Sequence, residues 1–122
     1  NQQPIGHLDT AYLAMMDEVQ DLLRYTWQTT NPLTYAIAGT GSAAMEATIA
    51  NAVEPGDRVL VCVKGYFGHR LVDMAQRYGA DVVTIHRPWG EAFTLEELTS
   101  ALDEHRPAVL AIVHAETSTG VR

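Results

Sequence analysis

The stretch Arg58-Val59-Leu60-Val61-Cys62-Val63-Lys64-Gly65-Tyr66-Phe67-Gly68 decides the fold of this chain. Val59 to Val63 is an unbroken apolar run rich in valine, and it reads as a strand buried on both faces, as in the interior of a parallel sheet. Lys64-Gly65 interrupts the run. From Tyr66 to Tyr78 the pattern changes to a helical period, with Leu71, Met74, Ala75 and Tyr78 on one face. A buried strand that feeds directly into a helix is the first half of a βαβ unit.

Working outward, the same plan recurs. Gly79-Ala80 ends the helix, Val82 to Ile85 is the next strand, and Pro88-Trp89-Gly90 opens a loop. Thr94 caps a helix from Leu95 to His105, and Glu97 completes a capping box. Pro107 precedes a strand from Ala108 to Val113, which runs into the loop His114 to Gly120. Upstream, Glu54-Pro55-Gly56-Asp57 is a turn, preceded by a helix over Ala43 to Val53 and the loop Gly39-Thr40-Gly41-Ser42. Leu33 to Ala38 reads as a further strand. Asn31-Pro32 stops an amphipathic N-terminal helix over 8–28, whose apolar residues recur at helical spacing and for which Asp9 or Thr10 serves as cap. Alternating strands and helices imply right-handed crossovers around a mostly parallel sheet wound on both faces, an α/β fold of three αβα layers.

Composition narrows the function. The 122 residues suit one domain, and 47% hydrophobic with 19% charged residues is a globular balance, so disorder is not expected. Eight basic residues against 15 acidic ones give a net charge of -7, which lacks the basic footprint of a nucleic-acid binder. No apolar run approaches the ~20 residues of a membrane span, and the opening NQQPIGHLD has neither the basic nor the apolar region of a signal peptide. A single cysteine, Cys62, cannot build a disulfide framework, which fits a reducing compartment such as the cytoplasm. The chain begins without Met and stops just after a turn-like Thr119-Gly120, and so reads as a segment of a longer protein.

Ligands of open α/β sheets gather beyond the carboxyl ends of the strands, where three loops of this chain lie. In Gly39-Thr40-Gly41-Ser42, two glycines allow the backbone N–H groups to approach a ligand, two hydroxyls add donors, and the following helix points its positive end there. The loop either cradles a phosphate or simply turns the chain with Ser42 as helix cap. With Ala44 it also fits the dinucleotide pattern G-x-G-x-x-A, but the next strand ends at Val63-Lys64 without the expected acidic residue. In Lys64 to Gly68, Phe67 either lies flat on a planar cofactor or packs under its own helix. Lys64, the only lysine, has nothing specific nearby to desolvate it and is expected in solvent.

The loop His114-Ala115-Glu116-Thr117-Ser118-Thr119-Gly120 opens like the zinc deaminase signature. It lacks the downstream P-C-x-x-C, and Cys62 stands alone upstream. The remaining histidines have no metal-ligand spacing, and there is no G-x-S-x-G elbow. Cys62 reads as an inert core thiol. No catalytic residue and no metal ligand is assigned.

At these loops the chain resembles the class V aminotransferases, in particular the alanine/serine–glyoxylate aminotransferase group. The resemblance is carried by Pro4-Ile5-Gly6-His7-Leu8-Asp9, Gly39-Thr40-Gly41-Ser42-Ala43-Ala44-Met45-Glu46-Ala47 and Glu54-Pro55-Gly56-Asp57. It continues through Tyr66-Phe67-Gly68-His69-Arg70, Arg77-Tyr78-Gly79-Ala80 and His114 to Val121, in order and with natural spacing. It implies the fold of the type I pyridoxal-phosphate enzymes, with residues 1–122 as part of the large, cofactor-binding domain, the small C-terminal domain absent, and a homodimer at full length. It implies pyridoxal 5'-phosphate as cofactor: Thr40, Gly41 and Ser42 on its phosphate, Phe67 stacked on its ring, and Thr117 near the ring oxygen. The implied reaction moves an amino group from serine or alanine to glyoxylate, and ureidoglycine users share these motifs. The implied setting is the cytoplasm, or a peroxisome in a eukaryote. The family's Schiff-base lysine, its pyridinium-pairing aspartate and its carboxylate-gripping arginine have no counterpart here, so these residues alone are expected to be inactive. Two other readings stay open: a nucleotide-binding Rossmann-type domain of an oxidoreductase, and a non-catalytic truncated fold that serves in binding or assembly.

Overall fold

The computed structural model describes residues 4–122. Residues 1–3, the start of the stretch read above for a signal peptide, lie outside the described residues. The chain divides into two compact units, one ending at Ala38 and one beginning at Gly39.

The first unit is built on α1 (Thr10–Trp27), which lies within the expected span of 8–28. Asp9 is its N-cap, its side chain accepting the Ala11 amide, and Gln28 closes it in a left-handed conformation. The Arg24 guanidinium donates to the Pro32 carbonyl at 2.8 Å and pairs with Asp21, fastening the chain that follows the helix. The expected strand over Leu33 to Ala38 is not formed. Leu33, Tyr35 and Ile37 are all exposed, and an apolar alternation becomes a strand only when a neighbour takes up its backbone N–H and C=O groups.

The second unit consists of α2 (Gly41–Ala52), β1 (Arg58–Val63), α3 (Tyr66–Arg77), β2 (Asp81–His86), α4 (Leu95–His105) and β3 (Val109–Ile112). The three strands form one sheet in the order β2-β1-β3, with both pairings parallel. The central place of β1 follows from its composition: Val59, Leu60, Val61 and Cys62 have no exposed surface. By strand alternation Val59, Val61 and Val63 share one face, and they pack with Ile49 of α2 and with Leu71, Met74 and Ala75 of α3. Leu60 and Cys62 fill the other face.

The strand order accounts for the layers. Helix α3 carries the chain from β1 to β2, and α4 carries it back past β1 to β3. Right-handed crossovers running in opposite directions fall on opposite faces of a sheet, so the three αβα layers expected from the sequence are present. The capping box on α4 is present in full, with the Thr94 hydroxyl accepting the Glu97 amide and the Glu97 carboxylate accepting the Thr94 amide. Helix α3 lies tight on β1: a side-chain carbon added at Gly68 would stand 3.0 Å from the Val63 Cα. Glycine is what lets the two backbones approach.

Candidate functional site

Parallel strands send their carboxyl ends the same way, so the loops after β1 and β3 open at one end of the sheet. The first of these leads into α3 and carries Phe67 in its opening turn. No local side chain caps this helix, because the position before Tyr66 is Gly65. The cap comes from the loop after β3. The Ser118 hydroxyl accepts the Tyr66 amide at 3.0 Å, and the Glu116 carboxylate accepts the amides of Phe67 at 3.3 Å and Gly68 at 3.1 Å. Glu116 also takes the Ser118 amide and, at 2.5 Å, the Ser118 hydroxyl.

Glu116 is wholly buried. Burial pushes its carboxyl up, but the Ser118 hydroxyl and the amides of Phe67, Gly68 and Ser118 more than offset this and hold it below the usual carboxylate range. The positive end of α3 favours the same ionised form. Its loop is equally fixed. The Glu116 carbonyl accepts the amides of Thr119 and Gly120, and its own amide donates to Val121 at 2.7 Å, so residues 117–120 form a closed turn with Thr117 exposed. Gly65 completes the junction. A Cβ there would lie 2.7 Å from the Ser118 hydroxyl oxygen and closer still to Glu116 Cγ. Phe67 is half-buried and meets the Tyr66 ring edge-on, with centroids 5.3 Å apart.

The third loop lies at the start of α2, and here the helix begins earlier than expected. Gly41 and Ser42 are its first residues, and Thr40, not Ser42, is the N-cap, because the Thr40 hydroxyl accepts the Ala43 amide at 3.1 Å. The Thr40 carbonyl takes the Ala44 amide. The Gly41 and Ser42 amides have no acceptor among the described residues. Nothing stands within 4 Å of a Cβ built on Gly41, so this corner is open. Helix α2 brings Met45 and Thr48 beside Leu71 of α3 and beside Ile112, Val113 and His114 at the end of β3. Together they line an apolar cavity of about 300 Å³.

Thus Phe67 and Thr117 are brought onto one hydrogen-bonded junction, and Thr40, Gly41 and Ser42 form the N-terminus of a helix packed on the same unit. Two features escape sequence reading. Glu116 is one: it shares its loop with Thr117, yet its partners lie 48 and 49 residues away. The missing local cap before Tyr66 was the available sign, since such a helix start must find acceptors elsewhere. Lys64 is the other. It is 3% exposed rather than solvated, at the end of the fully buried β1. No carboxylate among the described residues lies within ion-pair distance of it. Its charge is felt by Cys62, whose thiol burial pushes up to about 11 against the opposing pull of the lysine. Cys62 is thus the inert core thiol that was expected.

Among the described residues, Glu116 is the carboxylate that meets the turn after β1, and both of its oxygens are engaged by the Phe67 and Gly68 amides rather than free for a nucleotide ribose.

Comparison with known proteins identifies the family. The Aminotransferase class-V family model matches residues 3–122. An alanine–glyoxylate aminotransferase of Drosophila melanogaster is 43% identical over 117 residues, covering 96% of this chain and 30% of the relative. An (S)-ureidoglycine–glyoxylate transaminase of Bacillus subtilis is 40% identical over 116 residues, covering 95% of this chain and 28% of the relative. The crystal structure of an alanine–glyoxylate aminotransferase from Nostoc sp. superposes with a TM-score of 0.87 at 74% identity, covering 99% of this chain and 32% of that one. The chain spans about 30% of the length of the curated relatives it matches. With the family model matching nearly every residue and the parallel sheet shared with a solved member, the chain belongs to the class V aminotransferases.

Proposed function

We propose that the protein is a pyridoxal-phosphate transaminase that moves an amino group from serine or alanine to glyoxylate, and that these residues form part of its large, cofactor-binding domain. The observation that carries this reading is the set of unused donors at the start of α2. The Gly41 and Ser42 amides, with the hydroxyls of Thr40 and Ser42, suit a phosphate dianion at a helix N-terminus. The residues present therefore fit the cofactor. Thr40, Gly41 and Ser42 would hold its phosphate, Phe67 would stack on its ring, and Thr117 would supply a hydrogen-bonding hydroxyl beside it. When bound, pyridoxal phosphate supplies the electron sink for the transfer. This chain's own part is to bind and orient it, and no residue within 1–122 is assigned a catalytic role.

A homodimer and a cytoplasmic setting (peroxisomal in a eukaryote) belong to the same proposal. Among the described residues no helix is long and apolar enough to cross a membrane. Names of relatives support glyoxylate as the amino acceptor, since the matched proteins are alanine–, ureidoglycine– and aspartate–glyoxylate aminotransferases. The test is to titrate the full-length protein with pyridoxal 5'-phosphate, then supply serine, alanine, ureidoglycine or aspartate with glyoxylate and follow glycine. Cofactor binding with glycine formed from serine or alanine supports the proposal. Binding with glycine formed only from another donor overturns the donor assignment, and failure to bind overturns the whole.

A further inference from the structure

Most helices take their N-terminal hydrogen bonds from the residue just before them, and such a cap moves with its helix. Helix α3 does otherwise. Its first three amides are held by Ser118 and Glu116, from a different loop, and Gly65 leaves the space those side chains occupy. We infer that Glu116 is a positioning residue, its buried carboxylate clamping the start of α3 to the Thr117 turn so that the Phe67 ring and the Thr117 hydroxyl are held as one rigid unit. This deepens, and rests on, the cofactor reading above: Phe67 and Thr117 are the two groups proposed to flank the cofactor ring, and Glu116 touches neither the cofactor nor the substrate.

The chemistry requires a carboxylate. Four donors converge on its two oxygens: the amides of Phe67, Gly68 and Ser118 and the Ser118 hydroxyl. An ionised carboxylate only accepts, and so serves them all. Glutamine fills the same volume but turns an NH₂ toward N–H groups, leaving at least one of them without an acceptor. The clamp also couples two loops that follow different strands, so loosening it lets the ring and the hydroxyl drift independently. In an orienting role, small displacements carry large effects.

The test uses full-length wild type, Glu116→Gln and Ser118→Ala, with Asp57→Ala, which removes the acceptor of the Glu54 amide in the turn before β1, as a destabilised control at the amino end of the sheet. Two quantities are read: hydrogen exchange at the Phe67 and Gly68 amides without cofactor, and the affinity and induced circular dichroism of added pyridoxal 5'-phosphate. Glu116→Gln should speed exchange at both amides and weaken the cofactor by about tenfold or more, with an altered dichroic band reporting a reoriented ring. Ser118→Ala should move both readouts the same way by less, and Asp57→Ala should leave the affinity and the band unchanged. Loosened amides with wild-type affinity and dichroism overturn the positioning role, as does unchanged exchange. Should Glu116→Gln fail to fold, Ser118→Ala decides by the same criteria. If wild type protects these amides but binds no pyridoxal phosphate, the cofactor reading has failed, the role inferred for Glu116 falls with it, and the clamp is left as a structural feature.

Discussion

Glu116 Oε2 accepts the Gly68 amide at 3.1 Å across 48 residues of sequence, and this bond ties the loop after β3 to the first turn of α3. A group whose carboxyl titrates below its ordinary value adds stability above that value and loses it as pH falls through the depressed one. Urea titrations of the full-length protein from neutral to acid pH should therefore show an acid limb to which Glu116 contributes. Glu116→Gln should be less stable by about 2 kcal/mol at neutral pH, the scale of hydrogen bonds to a buried charge, with a shallower acid limb. An acid limb as steep in the variant as in wild type counts against the assignment.

Two glycines should answer an added methyl group oppositely. Gly65→Ala forces a carbon against Glu116 and Ser118 and should cost about 1–3 kcal/mol in thermal or chemical unfolding. Gly41→Ala meets nothing within 4 Å and should leave stability intact or slightly raised, while weakening pyridoxal-phosphate binding where the backbone must approach the phosphate. Equal stability losses at the two sites contradict this account.

At the start of α4 the Thr94 hydroxyl accepts the Glu97 amide at 3.2 Å, and the Arg87 guanidinium holds the same carboxylate. Thr94→Ala should cost about 1 kcal/mol, read as a lowered unfolding midpoint. The Glu97 carboxyl is held below its usual range, first by the Thr94 amide and then by Arg87. Its contribution is therefore present above the ordinary carboxylate range and fades in acid. A Thr94→Ala midpoint equal to wild type would show the cap to be dispensable.

Cys62 combines complete burial with a thiol pushed up to about 11, so little thiolate is present or reachable near neutrality. A disulfide-exchange reagent should leave it unmodified in the folded protein and react once denaturant is added. Rapid labelling of Cys62 under native conditions would contradict its place in β1.

What was legible in the sequence was whatever is decided locally. The Val59 to Val63 run identifies a central strand because only a strand covered on both faces needs such a pattern. Thr94 and Glu97 announce their helix because both halves of a capping box lie within one turn. Leu33 to Ala38 carries the same kind of apolar signal and forms no strand, since a strand also needs a partner that composition does not supply. The chemistry of Lys64 points to solvent, whereas it is buried at the end of a strand in which Val59 to Val63 are all buried. Thr40, Gly41, Ser42, Phe67 and Thr117 could be picked out as loop residues at strand ends and helix starts. Glu116 could not be given its place, because its partners become neighbours only after two crossovers bring β3 beside β1.

That separation also sets a timetable. Between the Phe67–Gly68 amides and Glu116 lie most of α3 and all of β2, α4 and β3, and the bond cannot form until the chain has closed that span. The end of the sheet that bears Phe67 and Thr117 is therefore expected to set together with, or after, the pairing of β3 with β1, which closes a span of the same length. Replacing Glu116 should hasten unfolding while leaving the folding rate nearly unchanged. A newly made chain gains its Phe67–Thr117 junction only once β3 has reached β1.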